Sequence, residues 1–302
     1  MTDVKNNSHL SGAPLISIGV STYNRKKLLA ESLRSLQAQT YKNFEIIVID
    51  DGSSDGTCDM MKNDFPEITY IYQENQGDAA AKNNAAAHAR GEFIVFNDSD
   101  DLFMSDTLEK LYDAIKKHPG ACSYGNYITI DAAGNSMPTK AKMKKFPSGK
   151  IISALIDHIV VNNCGTLMPI GLFRQLGGYD VKLRCAYDYK FALNMALIAD
   201  FYAVSSPVFF RRRHNSNISA ASYAKLNVIM GVLEEFFANH PEIARKYPDK
   251  VKRRYADIHG KLAKLAGKES LSNPLVQTHL KAALHYHFSF KNFFRYLLTI
   301  GR

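Results

Sequence analysis

Residues 15–25 read Leu-Ile-Ser-Ile-Gly-Val-Ser-Thr-Tyr-Asn-Arg. Leu15 to Val20 is a short, nearly continuous apolar run, the pattern of a strand buried on both faces. It runs into a polar turn, Ser21 to Arg25. A helical pattern follows over Lys26 to Gln39, where Leu29, Leu33 and Leu36 recur at helical spacing. The same succession then repeats. Phe44 to Ile49 is a second strand, leading into the turn Asp50-Asp51-Gly52-Ser53-Ser54-Asp55-Gly56 and a helix over Asp55 to Lys62. Ile68 to Tyr72 is a third strand, Asp78 to Ala89 an alanine-rich helix of high intrinsic propensity, and Phe93 to Phe96 a fourth strand. Strands alternating with helices predict an α/β fold with a mostly parallel sheet flanked by helices. Ligands of such sheets bind beyond the carboxyl ends of the strands. The turns 21–25, 50–55 and 97–101 are therefore the places to look for chemistry.

Further along, a helix is expected over residues 106–117. Ala121 to Ile130 has strand character and ends in a turn at Asp131 to Gly134. Residues 135–150 form a polar, basic loop with Lys140, Lys142, Lys144 and Lys145. Helical patterns cover Ile170 to Leu176 and Asp188 to Ile198, and Phe201 to Arg213 returns to strand. From about Ser219 the pattern is helical, broken near Pro241, Pro248, Gly267 and Pro274. The expected organisation is a main domain over residues 1–218, with halves at about 14–101 and 102–218, and a helical C-terminal extension over 219–302.

The chain has 302 residues, 46% of them hydrophobic, enough for one large core with a smaller appendage. Its formal charge is +9, and residues 241–302 carry 13 Lys and Arg against 4 Asp and Glu. The excess therefore belongs to the tail and not to the main domain. Such a tail can dock on the rest of the chain, pair with a second copy, or lie on anionic lipid at the inner face of a membrane. No zinc-finger or helix-turn-helix signature accompanies the charge, so nucleic acid is not an expected partner. The four cysteines, Cys58, Cys122, Cys164 and Cys185, are spaced neither as a zinc knuckle nor as a redox pair and read as reduced thiols. Met1 to Pro14 lacks the apolar run of a signal peptide, and no window reaches a membrane span. A cytoplasmic protein is the expectation.

Asn97-Asp98-Ser99-Asp100-Asp101 follows the fourth strand. Three carboxylates within four residues repel one another unless a cation joins them. Side chains alternate along a strand, so Asp98 and Asp100 can face one site. Hard oxygen ligands suit Mg2+ or Mn2+, with coordination positions left open for diphosphate oxygens. The plainer reading is a solvated acidic turn capping the helix near Asp106. Ser21 to Arg25 offers hydroxyls, an amide, backbone N–H groups and the Arg25 side chain to a nucleotide, and Tyr23 can pack on a base or ribose. In the plainer reading Asn24 caps the first helix. Asp51 is a candidate acceptor for the imide N–H of uracil, whereas Ser54 or Asp55 reads as a helix cap. Neither Gly-x-Gly-x-x-Gly nor a Walker sequence is present, which excludes the commonest dinucleotide and ATP-binding loops.

Six stretches in order, Ile18–Arg25, Val48–Asp55, Asn75–Gly91, Phe96–Asp101, Leu176–Asp188 and Arg212–Ser219, resemble the family 2 glycosyltransferases of the bacterial envelope-polysaccharide kind, which have the GT-A, nucleotide-diphospho-sugar transferase-like fold. The resemblance covers about residues 14–218. It implies transfer of a sugar from a nucleotide-sugar, a UDP-sugar by expectation, to a saccharide or lipid-linked acceptor, with inversion and with Mn2+ or Mg2+. By that resemblance Ser21 and Tyr23 line the uracil pocket and Asp51 contacts the base. Asn75, Gly77, Lys82 and Asn83 lie beside the nucleotide. Asp98 sits near ribose and metal, and Asp100 is the main metal ligand. Leu176-Gly177-Gly178-Tyr179-Asp180 matches the acceptor-side segment. Asp188 matches the second acid of a Glu-Asp pair and is the expected catalytic base, and His214 helps hold metal or diphosphate. Three positions depart from the family pattern: Ser21 often appears as Pro, Lys82 as Arg, and Tyr187 as Glu.

Two other readings remain open from the residues. A non-catalytic sugar-nucleotide or polysaccharide binder would bind the donor without turnover. A nucleotidyltransferase would release pyrophosphate from a nucleoside triphosphate, where a glycosyltransferase releases a nucleoside diphosphate.

Overall fold

The computed structural model describes residues 12–138, 146–213, 222–267, 273–289, 291–293, 296 and 299. His214, the lysines 140, 142, 144 and 145, and Phe290, Phe294, Leu297, Leu298 and Ile300 of the tail lie outside the described residues. The chain divides into two compact units. One holds Met1–Phe146, Asn162–Tyr179 and Phe201–Arg213; the other holds Pro147–Val161, Asp180–Asp200 and His214–Arg302.

The first unit is built on β1 (Ile16–Thr22), α1 (Lys26–Gln37), β2 (Phe44–Asp50), α2 (Thr57–Asp64), β3 (Thr69–Tyr72), α3 (Asp78–His88) and β4 (Phe93–Asp98). These are the strand–helix pairs legible in the sequence. Strand β1 is buried along its whole length and runs parallel to β2 on one side and β4 on the other. A strand covered on both faces has no solvent side, which is why its sequence shows no polar alternation. Gly19 sits mid-strand because a Cβ there would come within 2.8 Å of the Phe96 ring. Helix α1 buries Leu29, Leu33 and Leu36 against the sheet. Fully burying each leucine contributes about 1.5–3 kcal/mol.

The sheet continues through β5 (Leu102–Phe103), α4 (Thr107–Ile115), β6 (Cys122–Ile130), β7 (Thr166–Pro169), α6 (Ile170–Gln175) and β8 (Phe201–Arg212). Eight strands result, in the order β3-β2-β1-β4-β7-β6-β8-β5. The pairs β1–β2, β1–β4, β2–β3 and β6–β8 are parallel, while β4–β7, β6–β7 and β5–β8 are antiparallel. The expected mostly parallel sheet is therefore present, with reversed strands beyond β4. Strands β5 and β7 escape a periodicity reading because they are two and four residues long and take their place from partners far along the chain.

The second unit contains α5 (Ile152–Asp157), α7 (Tyr187–Ile198), α8 (Tyr223–Asn239), α9 (Pro241–Lys246), α10 (Pro248–Ala266) and α11 (Pro274–Tyr286). Helices α9, α10 and α11 each begin at a proline, where the missing N–H costs nothing. Ser222 caps α8 by accepting from the Lys225 N–H, and Asn273 caps α11 through Leu275. Ala263, Ala266, Val276 and Leu280 make a small core between α10 and α11. All four cysteines are free thiols. Among the described residues no helix is long and apolar enough to cross a membrane.

Candidate active site

The register places the candidate turns side by side. Ser21 of β1 pairs with Asp98 of β4, and Thr22 pairs with Asp50 of β2, so three strand ends open onto the same edge. What each polar side chain does there follows from its partners.

Asp50 is fully buried and structural: it accepts from the Ser53 N–H at 2.8 Å and from the Tyr70 hydroxyl at 2.6 Å. Asp51, 4% exposed, holds the loop before α3. Its carboxylate accepts from Gln73 Nε2 at 2.7 Å, from the Gln76 N–H at 2.8 Å and from the Gly77 N–H at 2.8 Å. A carboxylate offers about four lone-pair sites, so about one is left for a base. Asn75 and Tyr23 are exposed, Tyr23 to 50%.

Asn24 does not cap α1. It takes a left-handed backbone (φ 51°) and ties the first turn to the second: its N–H donates to Ser53 Oγ and its Oδ1 accepts from the Ser54 N–H, both at 2.8 Å. The helix is capped instead from across the sheet, by Asp55 Oδ2 accepting from the Lys26 N–H at 2.9 Å. Asp55 Oδ1 also accepts from the N–H and hydroxyl of Thr57 at the start of α2. Burial raises the Asp55 pKa, but these hydrogen bonds outweigh it and leave the carboxyl below its ordinary value.

Lys82 is 1% exposed, and its ammonium bridges Asp78 Oδ2 at 2.8 Å and Asp98 Oδ1 at 2.6 Å. Asp78 also accepts from the Ser21 hydroxyl, so Ser21, Asp78, Lys82 and Asp98 form one chain of contacts. Lys82 therefore neutralises the two carboxylates that it bridges. Lost hydration raises the Asp98 pKa; Lys82 opposes this, while Asp78 and Asp100 add to it. The Asp98 side chain nonetheless keeps 40% of its surface exposed. Asp100 pairs with Arg25 Nη1 at 3.1 Å.

The third acid of the turn stands apart. Asp101 accepts from the Arg212 N–H at 2.9 Å, and burial pushes its carboxyl well above the ordinary range, with Asp98 and Asp100 adding to the effect. Arg212 answers by donating from Nε to the Asp100 carbonyl at 3.2 Å, with Nη1 on the Ala132 carbonyl and Nη2 on Glu31. Arg212 thus clasps the acidic turn from behind, and its fork is already engaged within the protein. Asn97 braces the turn too, donating to Ser32 Oγ and accepting from the Cys164 thiol, both at 2.8 Å. Sequence reading missed both braces, because their partners are up to 181 residues away.

Asn83 donates to the Tyr179 carbonyl and accepts from the Tyr179 N–H, each at 2.8 Å. Its amide therefore anchors the Gly177-Gly178-Tyr179 segment. Gly177 and Gly178 both have positive φ and end α6 through bonds to the Arg174 and Phe173 carbonyls.

In the second unit Asp188 lies in the first turn of α7, partly buried, with Oδ1 accepting from the Tyr189 N–H at 2.9 Å. Ala186, which precedes the helix, has φ 60°, a strained conformation for a residue with a Cβ. Tyr187, at the position of the family's Glu, is 8% exposed. Asp180 and Glu235 share Lys190 at 2.9 and 2.8 Å.

Among the described residues, no group of three or more His, Cys, Asp or Glu side chains is gathered to hold a metal ion. Asp98 and Asp100 are two hard carboxylates at one turn, and His214 lies outside the described residues.

Residues 17–172 match the family described as glycosyl transferase family 2. The chain belongs to that family. A glycosyltransferase of Rickettsia prowazekii is 30% identical to this glycosyltransferase over 230 residues, covering 74% of this chain and 70% of the relative. Among solved structures, Staphylococcus aureus TarS (residues 1–349, with UDP-GlcNAc) matches with a TM-score of 0.57 at 19% identity, over 91% of this chain and 89% of TarS. The mannosyltransferase PcManGT of Pyrobaculum calidifontis, with GDP-Man and Mn2+, matches with a TM-score of 0.58 at 20% identity, over 96% of this chain and 80% of PcManGT. At these identities the structural likeness speaks for the fold alone, and that fold is GT-A. The glycosyltransferase thus joins a GT-A sheet to a helical C-terminal extension, and its family acts on nucleotide-sugar donors.

Proposed function

We propose that this glycosyltransferase is an inverting, metal-assisted enzyme that moves a sugar from a UDP-sugar to a saccharide or lipid-linked acceptor. The observation that carries the reading is the shared edge of β1, β2 and β4, with the Ser21–Arg25 turn, Asp51 and the acids Asp98 and Asp100 on adjacent strand ends. Asp51 fixes the loop 73–77 and keeps an acceptor position for the imide N–H of the base. Tyr23, exposed at the end of β1, is placed to cover a base or ribose.

The two acids suit Mn2+ or Mg2+ by donor type and by charge. Asp78 and Asp98 share Lys82, and Asp100 pairs with Arg25. Asp98 and Asp100 would hold the ion, which when bound would stabilise the charge that develops on the departing diphosphate.

The acceptor hydroxyl must lose a proton as it attacks the anomeric carbon. We assign that proton to Asp188, on its match to the second acid of the family's pair. Tyr187, where the family has Glu, favours one second reading: a protein that binds the donor without turning it over. Nucleoside diphosphate release from a panel of UDP- and GDP-sugars, each with an acceptor mixture, distinguishes the two. The enzyme reading predicts release that Asp188→Ala lowers at least a hundredfold while UDP still binds; binding with no release from any donor supports the second reading.

A further inference from the structure

The cations around the acidic turn are not equivalent. Lys82 is enclosed and shared between Asp78 and Asp98. Arg212 is enclosed and spread over Glu31 and two carbonyls. Arg211 lies over the Tyr127 ring, its guanidinium carbon 5.3 Å from the centroid. Arg25 differs in position: it stands at the N-cap of α1, and its guanidinium meets Asp100 Oδ1 at 3.1 Å. Its side chain keeps 24% of its surface exposed, against 7% for Asp100. The arginine is thus the more exposed member of the pair.

That pairing has a consequence for ligand binding. A cation that binds Asp100 must share that carboxylate with the Arg25 guanidinium or displace it. The two positive charges compete for one carboxylate, and both cannot occupy it without repulsion. Once displaced, Arg25 carries a planar fork of donors beside the strand ends, suited to bidentate contact with diphosphate oxygens. The backbone of α1 does not supply an equivalent donor at its first helical residue, since the Lys26 N–H is already taken by Asp55 at 2.9 Å.

We propose that Arg25 is an exchanging counter-ion: it occupies Asp100 in the free enzyme and transfers to the donor diphosphate when the divalent cation takes Asp100. This rests on the reading of Asp98 and Asp100 as the cation site. Metal and nucleotide then bind with positive coupling, and Arg25 adds to the part that comes from direct contact between cation and diphosphate. The metal alone must break the ion pair, whereas metal with nucleotide gives the guanidinium a second anionic partner. A thermodynamic cycle makes the effect reciprocal: Mn2+ tightens UDP by the factor by which UDP tightens Mn2+.

The test is equilibrium binding on the full chain, with no turnover required. Mn2+ is titrated by electron paramagnetic resonance with and without saturating UDP, in the wild type, Arg25→Gln and Arg25→Lys. The wild type should bind Mn2+ weakly alone and about tenfold or more tightly with UDP. Arg25→Gln should bind Mn2+ alone several-fold more tightly than the wild type, and its coupling factor should fall several-fold, leaving the part due to direct contact between cation and diphosphate. Arg25→Lys, which keeps charge but loses the fork, should fall between. Thermal unfolding of each variant confirms that the fold is retained. If Arg25→Gln binds Mn2+ alone more weakly, or keeps the wild-type coupling factor, the exchange does not occur. If Mn2+ and UDP fail to bind the wild type at all, the reading of the acidic turn fails, and the exchange with it.

Discussion

Asn83 of α3 and Tyr179, 96 residues later, are joined by two reciprocal hydrogen bonds of 2.8 Å between the Asn83 amide and the Tyr179 backbone. An asparagine amide used this way mimics a short piece of strand pairing. It fixes the Gly-Gly-aromatic segment to the helix behind the nucleotide side of the sheet. Asn83→Ala leaves a backbone N–H and a carbonyl without these partners, and a loss of about 1–3 kcal/mol in urea unfolding is expected. Gly178→Ala attacks the same junction twice: the backbone there has φ 71°, and the new Cβ would meet Asn83 Oδ1 at 2.7 Å. It should lower the unfolding midpoint at least as far as Asn83→Ala does.

Asp51 makes a distinct and local prediction. Its carboxylate accepts from the N–H groups of Gln76 and Gly77. Asp51→Ala removes both acceptors, and the two amides should exchange with deuterium about tenfold faster or more, with the amides of β1 unchanged. UDP affinity should fall in parallel. Fast exchange with unaltered UDP affinity would show that Asp51 serves the loop alone.

Arg212 tests the support behind the acidic turn. Arg212→Lys keeps one charge but cannot reach Asp100, Ala132 and Glu31 together, as the guanidinium does. A loss of about 2–3 kcal/mol is expected from hydrogen bonds to charged groups in a buried setting. If unfolding is unchanged, the turn does not depend on this brace.

Much of the fold was legible because its governing signals are local. The runs at residues 15–20, 44–49 and 93–96 declare buried strands, and prolines 241, 248 and 274 mark helix starts. The site was legible as far as strand ends and acid turns go. Asn24 and Asp55 show where that reading stops: Asp55 accepts from the Thr57 N–H at the start of the nearest helix, as its turn suggests, but it also caps α1 from 29 residues away, and Asn24 bridges two turns instead of capping. Asp101 looked like a third member of the acidic cluster, but its partner is Arg212, brought in by a sheet pairing that no periodicity reveals. Long-range pairing, not residue type, decides the partners of each acid.

The helical extension carries a pH dependence of its own. His259 Nδ1 and His279 Nδ1 lie 3.0 Å apart, His279 Nε2 meets the Tyr223 hydroxyl, and the His259 ring stacks on Tyr286. Burial lowers the pKa of both imidazoles below 6.5, and for His259 the neighbouring His279 adds to it. The unfolded chain therefore binds these protons at higher pH than the folded one. Stability from this pair is present at neutral pH and is lost as pH falls below 6.5 toward the lowered folded values. One shared proton satisfies the chain of contacts; a second sets two N–H groups against each other. Thermal unfolding between pH 7.5 and 5 should show the wild type weakening more steeply than His259→Asn. Parallel pH profiles would refute the coupling.

In the proposed reaction a divalent cation joins the Asp98–Asp100 turn to the diphosphate of a nucleotide-sugar. Calorimetric titration of UDP into the chain, with Mn2+ and then with chelator, tests it most directly when repeated on Asp100→Ala. Binding with Mn2+ should weaken at least tenfold in chelator, and binding by Asp100→Ala should no longer respond to the metal. UDP binding of equal strength in chelator, or an Asp100→Ala variant with the full Mn2+ response, would contradict it.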